Sequence, residues 1–121
     1  MAHGCGAGPD WGSLACRFTV LAGQVDSRLA PRRFRAVLAA KLKRAATARV
    51  QAEETCALGQ GRLARVALRA ATRALRAFRR RLDSPAGRQA IAEGDRDAWR
   101  ALTTDMRLDL EALRGALDCE P

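Results

Sequence analysis

Tyrosine is absent from this 121-residue chain, aromatic side chains make up 4% of it, and His3 is the only histidine. With so few rings, a core has to be built from Ala, Leu and Val around a few anchors. Trp11, Phe18, Phe34, Phe78 and Trp99 all fall on apolar seams, so the exposed aromatic platforms on which unpaired bases stack are not expected. The lone histidine leaves Ser13, Ser27, Thr103 and Thr104 with no imidazole base, so no nucleophilic set assembles and no enzyme is expected. Nor does a CxxC pair occur, which denies the chain the usual zinc ligand sets; neither a metal nor another cofactor is expected. No apolar run approaches the roughly 18 residues that a membrane span requires. The segment "GCGAG" (4–8) has no strand before it, and Pro9 and Asp10 separate it from the first helix, so it is not read as a phosphate-binding glycine loop.

The chain is instead rich in alanine and leucine, strong helix formers, and poor in β-branched residues, which points to an all-α fold. Residues 1–9 form a Gly-rich, flexible lead-in, and residues 10–121 a single helical domain. Asp10 is placed to cap a first helix in which Trp11, Leu14, Ala15, Phe18, Leu21, Ala22, Val25 and Leu29 recur at helical spacing. Pro31 suits the first turn of a second helix, marked by Phe34, Leu38, Leu42, Ala45, Ala52 and Cys56 and stopped by Gly59 and Gly61. The third helix, Arg62 to about Leu82, sets Leu63, Val66, Ala67, Ala70, Ala74, Phe78 and Leu82 on its apolar side. Ser84 as N-cap and Pro85 behind it begin a short helix that ends at Gly94. In the last helix Trp99, Leu102, Met106, Leu110, Leu113 and Leu117 advance by threes and fours. Four long amphipathic helices with short connections predict an antiparallel up-and-down four-helix bundle, with the short extra helix between the third and fourth.

The net charge of +9 is unevenly spread. From Arg28 to Arg81 there are sixteen basic residues against Glu53 and Glu54, whereas Leu82 to Pro121 carries nine acidic residues and five basic ones. Within the basic block, Arg62, Arg65, Arg69, Arg73, Arg76 and Arg80 follow one another by three or four, so that a helix stacks them into one stripe. They are the candidate anion-binding residues. Part of the stripe is expected to pair with Asp105, Asp109, Glu111 and Asp118 of the last helix across a groove. The remainder leaves a positive surface that favours an unknown acidic protein, an anionic envelope polymer or lipid head groups. Nucleic acid would be held only nonspecifically, since no helix-turn-helix, zinc finger or RNA-binding signature is present. Only Lys41 and Lys43 are lysines, and the codon usage of a GC-rich coding sequence accounts for some of the arginine without any ligand.

Cys5, Cys16, Cys56 and Cys119 are the disulfide candidates, because four widely spaced cysteines read as a framework in an oxidising compartment and as plain thiols in a reducing one. Helix lengths favour Cys5–Cys16 with Cys56–Cys119: Cys56 and Cys119 reach similar levels roughly 35–40 Å from the first turn, while Cys16 lies only about 20 Å from it. Cys5–Cys56 with Cys16–Cys119 is the alternative.

"DWGSLACR" (10–17), Cys56 before a glycine-bearing turn, "LRAFRRRLDSPAGRQAI" (75–91) and the ending "LDCEP" (117–121) together cover most of the chain. In these it resembles C-terminal helical modules of unknown function in predicted secreted proteins of GC-rich, myxobacterial-type bacteria. That resemblance implies export, paired cysteines and a role as an appended structural or interaction domain. The first residues carry neither a basic stretch nor an apolar one, so no secretory signal is visible; read from Met1 the chain is cytoplasmic, and read as part of a longer precursor it is secreted. The expected function is therefore a noncatalytic structural or interaction module outside the cytoplasm. The alternative is a small cytosolic basic protein that holds nucleic acid through the arginine stripe. An alanine-rich second helix that accepts a partner helix is a third reading.

Overall fold

The computed structural model describes residues 4–28 and 31–119. Among these the chain is all-helical, with no strand and five helices: α1 (Trp11–Arg28), α2 (Arg32–Ala57), α3 (Gly61–Leu82), α4 (Pro85–Ala90) and α5 (Glu93–Ala116). The sequence signals at two helix starts act as expected. Asp10 Oδ1 accepts from the Ser13 amide at 2.8 Å, and Ser84 Oγ accepts from the Gly87 amide at 3.1 Å with Pro85 directly behind it. Pro31 stands at the N-cap of α2 rather than inside its first turn.

Gly59 makes the turn between α2 and α3 with φ of 76°, a left-handed conformation in which a side chain is strained. Gly61 begins α3 instead of stopping α2. Gly94 lies inside α5, where an interruption was expected. Glu93 and Asp95 supply negative charge to the first turn of that helix, which favours its start there. At Gly87 a Cβ would sit 2.4 Å from the carbonyl oxygens of both Arg81 and Leu82, so only glycine lets α4 fold so closely under the end of α3.

One hydrophobic cluster draws on every long helix. It is built from Leu14, Phe18, Leu21 and Val25 of α1, Phe34, Leu38 and Leu42 of α2, Leu68, Leu75, Phe78 and Leu82 of α3, and Trp99, Leu102, Met106 and Leu110 of α5. The third helix departs from its expected face. Leu63 and Val66 are 53% and 52% exposed, and Ala64, Leu68, Ala71 and Leu75 are buried in their place. Leu29, expected at the end of the first seam, lies outside the described residues.

α2 packs most extensively on α3, α3 on α5, α1 on α2, and α5 on α1, so each long helix has two long neighbours. The polar contacts of α5 run in opposing order along both of its neighbours. Against α1, Asp95 meets Arg28, Trp99 meets Gln24 and Asp109 meets Arg17; against α3, Arg100 meets Asp83, Thr104 meets Arg79 and Glu111 meets Arg76.

Two disulfides tie down the segments outside the helices. Cys5 joins Cys16, and Cys56 joins Cys119, the connectivity favoured by helix length. Arg17, only 2% exposed, reinforces the first of these ties. Its guanidinium donates to the Gly8 carbonyl at 2.9 Å and pairs with Asp109 at 2.8 Å, so that the lead-in, α1 and α5 meet on one cation. Asp109 had been expected to face the arginines of α3; a step of two residues turns a helix by about 200°, and it is Glu111 that faces them.

Candidate anion-binding groove

All six arginines of the stripe are exposed, but they do not all serve one surface. Arg65 donates to the Leu117 carbonyl at 3.2 Å and so helps to hold the segment that follows α5. Arg62 lies at the first turn of α3, beyond the groove described next. The other four line two adjoining concavities between α3 and α5 that share Arg76.

The first concavity, about 270 Å³, is walled by Arg69, Thr72, Arg73, Arg76, Glu111 and Arg114. The second, about 360 Å³, is walled by Arg76, Arg79, Arg80, Asp83 and Arg107. Seven arginines thus face two carboxylates along one trough. Arg79, Arg107 and Arg114 were not singled out from the sequence. Arg79 is the neighbour of a stripe member, while Arg107 and Arg114 are a heptad apart on the last helix, a spacing that sets them on one face.

The carboxylates fix part of this cation set. Glu111 Oε1 accepts from Arg76 at 3.4 Å and pairs with Arg107 at 3.5 Å. Asp83 Oδ1 accepts from Nε of Arg100 at 3.1 Å and also pairs with the terminal nitrogen of that residue. This hydrogen bond, together with the attraction of the carboxylate charge, raises the Arg100 guanidinium above its ordinary pKa. Arg79 donates to Thr104 Oγ1 at 2.7 Å. Exposed pairs of this type contribute only about 0–1 kcal/mol each. The guanidinium groups of Arg69, Arg73 and Arg80 have no such partner among the described residues. A trough lined mainly by one sign of charge focuses its field and raises the local concentration of counter-ions, so the groove can hold an anion.

A separate apolar concavity of about 440 Å³ lies between α1 and α2, with Phe18, Ala22, Leu42, Ala46 and Val50 among its walls. Among the described residues no three His, Cys, Asp or Glu side chains cluster as a metal site, and no helix is long and apolar enough to cross a membrane. His3 lies outside the described residues. The chain matches no protein-family model, and neither a curated protein nor a solved structure is significantly similar to it.

Proposed function

We propose that the chain is an antiparallel up-and-down four-helix bundle that works outside the cytoplasm as a noncatalytic structural or interaction module, of the kind appended to secreted proteins of GC-rich, myxobacterial-type bacteria. The opposing contact order of α5 along α1 and α3 supports the bundle. Two internal disulfides carry the compartment reading. All four cysteines are paired, and such bonds persist in oxidising surroundings and are rare in the cytosol. Both of them fasten segments outside the helices, the lead-in to α1 and the tail to the last turn of α2, which is where a small secreted domain gains from cross-linking.

The test is intact mass of the unreduced protein after thiol alkylation, paired with thermal unfolding with and without reductant. The expected outcome is no alkylated thiol and a melting point that falls on reduction. Four blocked thiols with an unchanged melt overturn it. That result favours the second reading, a cytosolic basic protein holding nucleic acid through Arg62, Arg65, Arg69, Arg73, Arg76 and Arg80, whose support is that all six side chains are exposed.

A further inference from the structure

We propose that the α3–α5 groove is a two-seat track for an acidic polysaccharide, in which arginines take the anionic groups and the two carboxylates take sugar hydroxyls. The inference deepens the reading of the chain as an interaction module and rests on it for the compartment in which such a polymer is met.

Spacing is the first support. Arg73 belongs to one seat and Arg80 to the next, with Arg76 common to both. Seven residues of helix separate Arg73 from Arg80 by about 10 Å, a span comparable to one disaccharide of an extended glycan. Arg76 between them is held by Glu111, so the guanidinium groups of Arg73 and Arg80, which lack a carboxylate partner among the described residues, stand one such span apart, wider than the spacing of charges along a polyphosphate.

The carboxylates supply the second support. Glu111 Oε1 and Asp83 Oδ1 are occupied by arginines, while the other oxygen of each carboxylate has no partner among the described residues. A hydroxyl can donate to that oxygen, whereas a phosphate chain meets repulsion from it. Anionic glycans carry both kinds of group, and the free guanidinium groups of Arg73 and Arg80 present the planar fork that grips carboxylate or sulfate with two hydrogen bonds.

Aromatic burial is the third. Phe18, Phe34, Phe78 and Trp99 lie in the core and Trp11 is half-buried, so no ring lines the groove to stack a base. Nucleic acid is thereby disfavoured as the occupant.

The experiment measures binding of the oxidised protein, by fluorescence anisotropy at low and moderate salt, to four probes matched for charge: a heparin oligosaccharide, an oligogalacturonate, inorganic polyphosphate and oligothymidylate. Both glycans are expected to bind more tightly than the other two, with salt-sensitive affinity. Arg73→Ala and Arg80→Ala should each lower glycan affinity about tenfold. Arg32→Ala with Arg33→Ala, on the exposed first turn of α2, should leave it nearly unchanged. Glu111→Ala should weaken glycan binding and strengthen polyphosphate binding. The proposal is overturned by oligothymidylate or polyphosphate binding as tightly as the glycans, by an equal loss in the Arg32 and Arg33 variant, or by no binding to either glycan. Lack of binding by a fully disulfide-bonded protein removes the track and leaves the extracytoplasmic module standing. Free thiols in the mass experiment remove that module itself.

Discussion

The two sides of α3 are built on different principles. Towards α2 the packing is the most extensive in the molecule, and alanines are buried on both helices: Ala45, Ala48 and Ala52 on one, Ala64, Ala71 and Ala74 on the other. Small side chains let helix axes approach closely. Towards α5 the rim of the contact is a file of long arginines, and the space between their stems is a trough. One helix thus turns a close-packed, alanine-rich surface to one neighbour and an arginine-rimmed trough to the other. A tight seam is set by volume, which tolerates little change; a groove rim is set by charge, which can change without unfolding anything.

Five substitutions separate the two sides. Cys119→Ser should have the largest effect, because the Cys56–Cys119 bond spans 63 residues and the chain-entropy account assigns such a loop about 4 kcal/mol. Urea unfolding measures the loss, and hydrogen exchange should show residues 113–119 opening before α2 and α3 do. Next, Leu68→Ala on the buried row of α3 should cost about 3 kcal/mol. Ala71→Leu should cost about 2 kcal/mol by overpacking a fully buried site on the alanine-rich face; a stability equal to that of the parent would mean that the seam is loosely packed. The smallest effects belong to Leu63→Ala and Arg73→Ala, both within about 0.5 kcal/mol of the parent in the same measurement. An Arg73→Ala protein that unfolds early would show the groove rim to be structural rather than receptive.

Most of the helix pattern was legible in the residues themselves. Asp10 and Ser84 announce their helices by capping, Gly59 marks the tight turn, and the seams of α1, α2 and α5 run through the leucines and aromatics at the expected spacing. The face of α3 was not legible. Alanine at 64, 67, 70, 71 and 74 makes several rows of that helix apolar, so hydropathy cannot choose between the row of Leu63 and Val66 and the row of Leu68 and Leu75. Contact with two neighbouring helices chooses the second: Ala64, Leu68, Ala71 and Leu75 are buried with Phe78 and Leu82, while Leu63 and Val66 stay exposed. Arg17 was hidden for a related reason. It stands three residues after Leu14 and four before Leu21, squarely on the seam, but nothing in a sequence says that a carboxylate of α5 and the Gly8 carbonyl will meet it there.

The same division holds for the candidate site. The stripe on α3 follows from the periodicity of a single helix, and so did the nomination of Arg69, Arg73, Arg76 and Arg80. The groove needs a second wall, and the pairing of Glu111 with Arg76, the diversion of Asp109 to Arg17 and the arrival of Arg107 and Arg114 beside the stripe all depend on how α5 is turned about its axis. By itself the sequence determined that the chain is helical, which residues cap α1 and α4, that Gly59 turns it, and that its middle is cationic, because these are local properties of backbone preference and charge. Only the tertiary structure decided which arginines share a concavity and which are consumed as ties, because side chains on different helices become neighbours through packing at a distance along the chain.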